Sequence, residues 1–269
     1  VKSEGIFKDD TEFKQWILQN TDQAALEPTL SYPQLRDFIL ENGAMGFRHV
    51  CVPITQVKNA RSLINDNKLQ MQIAAVVGFP HGNEFTTNNK RRQVEQAASF
   101  GAREVDFVIN ISMLRSDVVA FSREVRKVAE KAHSLSMRCK SIFETYYLSN
   151  DEIKKVARIC EDSDIDVVKT STGFAVKGKN HPDRDPERIG ATEDVIRIMG
   201  EGIEDKKRVG IKPSGGIRNI EQLTSIIEAC IDSGWDKSRI RIGSSSGKQF
   251  LEELGKKEKG KSPALPNSR

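Results

Sequence analysis

Two stretches decide how this chain is read: Asp166-Val-Val-Lys-Thr-Ser-Thr-Gly173 and Val209-Gly-Ile-Lys-Pro-Ser-Gly-Gly216. In each, a short apolar run ends in a lysine, Lys169 or Lys212, and passes into a turn rich in glycine or hydroxyl groups. A strand reading Ile-Asp-Val-Val or Val-Gly-Ile is suited to burial on both faces, as in a parallel sheet covered by helices. An ammonium at the end of such a strand is costly unless a partner or a chemical role retains it. Two of them, both beside turns able to hold an anion, point to amine chemistry on a phosphorylated carbonyl compound.

Working outward, the same alternation of short apolar runs and amphipathic stretches recurs along the chain, the pattern of βα units. Strands are expected near residues 23–26, 49–52, 72–77, 104–109, 137–143, 166–170, 208–212 and 239–242. Helices are expected near 31–42, 55–65, 87–99, 117–134, 149–162, 192–200, 219–233 and 246–254. Phe13, Trp16 and Ile17 repeat at helical spacing within 9–20, so an extra N-terminal helix is expected to cap one end. Eight consecutive βα pairs predict an α/β fold, a (β/α)8 TIM barrel. A doubly wound open sheet would carry a glycine-rich loop after its first strand, and none is present.

Residues 1–254 therefore read as a single barrel domain, and 255–269 as a flexible basic tail rich in lysine. The loop from Gly173 to Gly190 is long and charged, and its position after the Lys169 strand places it over the catalytic face.

Composition narrows the function. The 269 residues carry a net charge of +4, much of it in the tail, and no interleaving of aromatic and basic residues suggests nucleic-acid binding. No run approaches the ~20 apolar residues that cross a bilayer, so no membrane partner is expected. The N-terminal segment has no apolar core of a secretory signal. Cys51, Cys139, Cys160 and Cys230 form no C-x-x-C pair, as in a protein of a reducing, cytoplasmic compartment. The four histidines are scattered, with no metal-binding spacing, so no metal and no cofactor is expected. His81 lies in the turn formed around Pro80 and Gly82, where a structural role is expected.

Active sites of barrels lie at the C-terminal ends of the strands. Lys169, Lys212 and Asp106 can meet there, the last only if Val105 and Phe107 face the helices. A neighbouring ammonium and an apolar wall lower one amine's pKa, leaving a nucleophile able to form a Schiff base with an aldehyde. Asp106 would shuttle the proton. The turns Ser214–Asn219 and Gly243–Gly247 each open a helix and present backbone N–H groups to an anion.

These residues resemble those of the deoxyribose-phosphate aldolase family. The matches are Phe79-Pro-His-Gly-Asn83, Gly101-Ala-Arg-Glu-Val-Asp106, Lys140-Ser-Ile-Phe-Glu-Thr145, Lys169-Thr-Ser-Thr-Gly173, Lys212-Pro-Ser-Gly-Gly-Ile-Arg218 and Gly243-Ser-Ser-Ser246, in family order. The resemblance implies a class I barrel aldolase that reversibly cleaves 2-deoxy-D-ribose 5-phosphate to glyceraldehyde 3-phosphate and acetaldehyde. It implies that Lys169 forms the Schiff base, Lys212 lowers the pKa of that lysine and Asp106 relays protons. Gly173, Gly215, Gly216, Ser245 and Ser246 would hold the phosphate. Lys140 and Glu144 match a family pair beside the site, expected as an ion pair that positions a lysine. Cys51 matches a family cysteine near the substrate, although a small buried apolar role suits it better. By analogy the chain would form a homodimer.

The chain departs from the family at Ala24, where a threonine is usual, in the long loop after Gly173, and in having no tyrosine after Tyr147. These departures leave an alternative: a catalytically weakened aldolase-like barrel acting as an interaction or scaffold protein. A third reading is another phosphate-binding barrel enzyme with a different aldehyde acceptor.

Overall fold

The computed structural model describes residues 5–176 and 189–260, with side chains to residue 256. Its eight strands are parallel and follow the order β7-β6-β5-β4-β3-β2-β1-β8. They are β1 Thr21–Ala24, β2 His49–Pro53, β3 Gln72–Val77, β4 Glu104–Val108, β5 Arg138–Ile142, β6 Val167–Lys169, β7 Gly210–Lys212 and β8 Ile242–Ser244. Backbone bonds from Arg241 N to Ile211 O (2.9 Å) and from Gly243 N to Pro213 O (2.8 Å) join β8 to the β7 side. The result is the expected (β/α)8 barrel.

Ten α-helices are assigned among the described residues. They are α1 Asp10–Asn20, α2 Tyr32–Met45, α3 Val57–Asp66, α4 Thr87–Phe100, α5 Ile111–Ser116, α6 Val118–Ser134, α7 Asn150–Asp162, α8 Glu193–Gly202, α9 Ile220–Asp232 and α10 Gly247–Gly260. Several begin where the sequence carries a cap. Ser149 Oγ accepts from Glu152 N (3.2 Å) while Glu152 Oε2 accepts from Ser149 N (2.8 Å), a reciprocal box that starts α7. Asn219 likewise caps α9 through Gln222 N.

Alternation along the strands separates two environments. Val105 and Phe107 join the main core between sheet and helices, together with Val50, Val52, Ile73 and Ile211. Asp106, of opposite parity, turns into the lumen, as do Cys51, Ala74 and Val76, which form a small apolar cluster of their own. Helix α1 buries Phe13, Trp16 and Ile17, and Trp16 Nε1 donates to Lys237 O at 3.1 Å, ahead of β8. It therefore covers the N-terminal end of the barrel and leaves the opposite end to the connecting loops.

Two details differ from the sequence expectations. The six-residue α5 is too short to show a period of its own. Helix α10 continues past Leu254 to Gly260, because Lys256-Lys-Glu-Lys259 consists of good helix formers. Residues 177–188 of the long loop and 261–269 of the tail lie outside the described residues, so the expectations placed on them stand as such.

Candidate active site

Strand register assembles the site. Asp106 of β4 pairs across with Lys140 of β5, and Lys169 of β6 pairs with Lys212 of β7. Both lysine ammoniums converge on one oxygen: Asp106 Oδ2 accepts from Lys169 Nζ at 3.0 Å and from Lys212 Nζ at 2.7 Å. Asp106 Oδ1 accepts from Lys140 Nζ at 2.9 Å. Asp22 of β1 closes the network: its Oδ2 takes Lys140 Nζ at 3.2 Å and a close bond from Lys212, and its Oδ1 takes Arg241. Glu104 adds a close contact to Lys140. All these side chains are buried.

Among the described residues, four buried cationic side chains here face three carboxylates, and the exposed Arg138 reaches Glu104 at 3.8 Å. That ratio governs protonation. Burial would raise the Asp106 pKa, but Lys140, Lys212 and Lys169 outweigh it and hold the carboxyl far below the usual range. Asp22 is held low against the same burial by Arg241, Lys140 and Lys212. Burial disfavours the Lys212 ammonium, yet Asp106 and Asp22 push its pKa above the ordinary lysine value. Lys212 is thus held as a positive charge. Lys140 is held protonated in the same way by Asp106, Asp22 and Glu104.

Above this network lies a cavity of about 410 Å³ that reaches Lys169, Lys212 and Cys51 at its base. Its rim contains every residue expected to bind phosphate: Gly173, Gly215, Gly216, Ser245 and Ser246. Gly215 and Gly216 have φ values of +89° and +80°, a backbone form that side chains oppose. Thr170 Oγ1 accepts from Ser214 N at 2.9 Å and donates to Ser214 O at 2.8 Å, clamping the turn after β6 to the turn after β7. Ala24 also lines the cavity, so the departure from the threonine usual in the family falls within it.

Lys140 and Glu144 do not form the expected ion pair. Four residues of extended chain span about 13 Å, and the two side chains serve different partners. Glu144 instead accepts from Thr172 N at 3.2 Å and makes a close bond with the Thr172 hydroxyl. Burial raises its pKa. It holds the turn leading to Gly173, while Lys140 belongs to the lumen network. Cys51 is buried with its thiol pKa pushed up by burial and by Asp106, consistent with a packing role. His81 is exposed, away from this cavity.

Sequence reading passed over Asp22, Glu104 and Arg241 as site residues. The signal was present: Glu104 shares the parity of Asp106, and Asp22 is a carboxylate in an otherwise buried strand. What pairs with what, however, depends on strands far apart in the chain.

The fold and site define a class: a barrel enzyme with a buried amine–carboxylate centre under a cavity of about 410 Å³. Residues 38–252 match the family model described as DeoC/LacD family aldolase, and the chain belongs to that family, as the sequence motifs indicated. It is an aldolase, a carbon–carbon lyase. The deoxyribose-phosphate aldolase of Aquifex aeolicus is 35% identical over 236 residues, covering 88% of this chain and 95% of that protein. Deoxyribose-phosphate aldolase 1 of Staphylococcus aureus is 34% identical over 246 residues, covering 90% and 97%. Among solved structures, the aldolase QR15 superposes with a TM-score of 0.73 at 33% identity, covering 90% of this chain and 96% of that one. The deoxyribose phosphate aldolase of Aeropyrum pernix, described as a tetramer, gives 0.74 at 21% identity over 93% and 94% of the two chains.

Proposed function

We propose that this aldolase cleaves 2-deoxy-D-ribose 5-phosphate reversibly to D-glyceraldehyde 3-phosphate and acetaldehyde through a Schiff base on Lys169. The observation that carries the reading is the shared Asp106 Oδ2, with Lys169 and Lys212 both bound to it at the base of a cavity rimmed by Gly215, Gly216, Ser245 and Ser246. The curated relatives named above share the name deoxyribose-phosphate aldolase.

The chemistry follows from the layout. The buried cluster sets four cations against three carboxylates, and a neutral amine in it is the nucleophile the reaction needs. Lys212 meets both Asp22 and Asp106, whereas Lys169 meets Asp106 and lines the cavity. Its neutral nitrogen adds to the substrate aldehyde carbon, and loss of water gives an iminium. The iminium withdraws electrons as the C2–C3 bond breaks, and the C3 hydroxyl gives up its proton to become the aldehyde of glyceraldehyde 3-phosphate. The remaining enamine takes a proton at C2, and hydrolysis releases acetaldehyde and the free lysine. Asp106 is a weak base while three ammoniums surround it. Loss of charge on Lys169 removes one of them and raises its basicity at the step where a proton must move.

The turns after β7 and β8 bind the phosphate through backbone N–H groups, the Ser245 and Ser246 hydroxyls and the start of α10. Four free, buried cysteines fit a role in the reducing cytoplasm, and a homodimer is the assembly proposed, to be read by light scattering. The scaffold alternative has no support, since the chain belongs to an aldolase family and its relatives are named as enzymes.

Borohydride reduction in the presence of 2-deoxyribose 5-phosphate or acetaldehyde tests the proposal. A reduced adduct on Lys169, found by peptide mass spectrometry and lost with turnover in Lys169→Ala, is expected. Absence of an adduct on folded protein, or near-normal turnover in Lys169→Ala, overturns it.

A further inference from the structure

A second cavity, of about 470 Å³, opens at the N-terminal end of the barrel, opposite the lysine site. Arg48 and His49 at the entry of β2, Arg61 and Asn65 of α3, Gln19 of α1 and Gln72 of β3 line it, and no carboxylate does. Its two guanidiniums meet only neutral acceptors. Arg61 Nη2 donates to Gly101 O at 2.5 Å, and Arg48 Nη1 makes a long contact of 3.4 Å to Gln70 O. Among the described residues neither forms an ion pair, and Arg103 adds a repulsive neighbour to Arg61. His49 Nδ1 is buried with no hydrogen-bond partner.

Each arginine carries five N–H groups in a planar fork that matches the oxygens of a phosphate. Two forks short of an anion and amide side chains able both to donate and to accept form a coherent set. The carboxylates near His49 belong to the barrel floor: Asp22 and Glu104 are already engaged by Arg241 and Lys140, so they do not neutralise this cavity.

We infer that this cavity is a second anion site, which binds a phosphate monoester with its phosphate on Arg48 and Arg61 and its polar remainder against Gln19, Asn65, Gln72 and His49. The site is separate from the substrate cavity, and its existence does not rest on the reaction proposed above.

The protein has only four histidines, so ring-labelled protein gives a spectrum in which His49, assigned by His49→Gln, reports on this end of the barrel. Inorganic phosphate and adenosine monophosphate serve as separate probes at neutral pH. A saturable shift of the His49 resonance is expected with both probes if the phosphate alone is recognised, or with the nucleotide only if the attached polar body is also required. Arg48→Gln and Arg61→Gln should each weaken binding at least tenfold, and Ser246→Asp at the opposite end should leave it unchanged. Arg48 is exposed, so its variant tests the site without disturbing the Gly101 contact. No saturable shift with either probe, an unaltered affinity in Arg48→Gln, or loss of the shift in Ser246→Asp overturns the inference.

Discussion

Lys140 Nζ meets three carboxylates at once, those of Asp22, Glu104 and Asp106, and none of its side chain reaches solvent. Removing one member of such a network leaves buried charge without compensation, at a cost of about 3–5 kcal/mol. Lys140→Met should therefore lower stability by about that amount, seen as a reduced urea midpoint; an unchanged midpoint would show that the network tolerates its loss. Glu144 acts at a different place. It holds Thr172, and the adjoining Gly173 lines the substrate cavity. A buried hydrogen bond to a charged group is worth about 1.5–3 kcal/mol, so Glu144→Ala should raise KM for the phosphorylated substrate by about tenfold or more. Because it leaves Lys169 and Asp106 intact, kcat should change less. Steady-state kinetics separate the two effects, and a loss confined to kcat would place Glu144 in the chemistry instead.

At the scale of elements, the turns after β6, β7 and β8 work as a set. Thr170 ties the first to the second. Ser214 also bridges to Gly243, where an added Cβ would stand 2.6 Å from Ser214 Oγ. Close backbone approach narrows the rim that the proposed function places around the phosphate. A carboxylate placed there opposes the substrate phosphate, and at about 4 Å that repulsion reaches a few kcal/mol at a partly exposed site. Ser246→Asp should raise KM for 2-deoxyribose 5-phosphate by about two orders of magnitude while sparing cleavage of unphosphorylated 2-deoxyribose. Equal losses on both sugars would remove the phosphate role of this turn.

Across the whole molecule, the buried charges make stability depend on pH with a definite sign. Asp22, Glu104 and Asp106 all have lowered pKa values in the folded state, burial being outweighed by lysines and Arg241. Their contribution is present above the unfolded carboxylate range and is lost as pH falls below about 4. His49 acts in an earlier window. Burial lowers its pKa to about 4 from the ordinary 6.5, so the unfolded chain takes up a proton that the folded one refuses as pH falls between those values. Urea midpoints should decline from pH 6.5 downward in the native protein and stay level until about pH 4 in His49→Gln. Parallel curves for the two proteins would show that His49 is not the group responsible.

The sequence by itself determined the barrel, because short apolar runs alternating with amphipathic helices leave few other ways to bury both faces of a parallel sheet. It also marked Lys169, Lys212, Asp106 and the two glycine–serine turns, since each breaks a local rule: a charge in a buried strand, or glycines where a helix begins. Tertiary structure decided the partnerships. Lys140 leaves Glu144 for Asp106 because four residues of strand hold the first pair apart, whereas neighbouring strands bring the second together in register. Asp22 and Arg241 lie 219 positions apart in the chain and meet because β8 closes onto β1. Only closure of the sheet makes that contact local, and with it the buried charge network around Asp22 is completed.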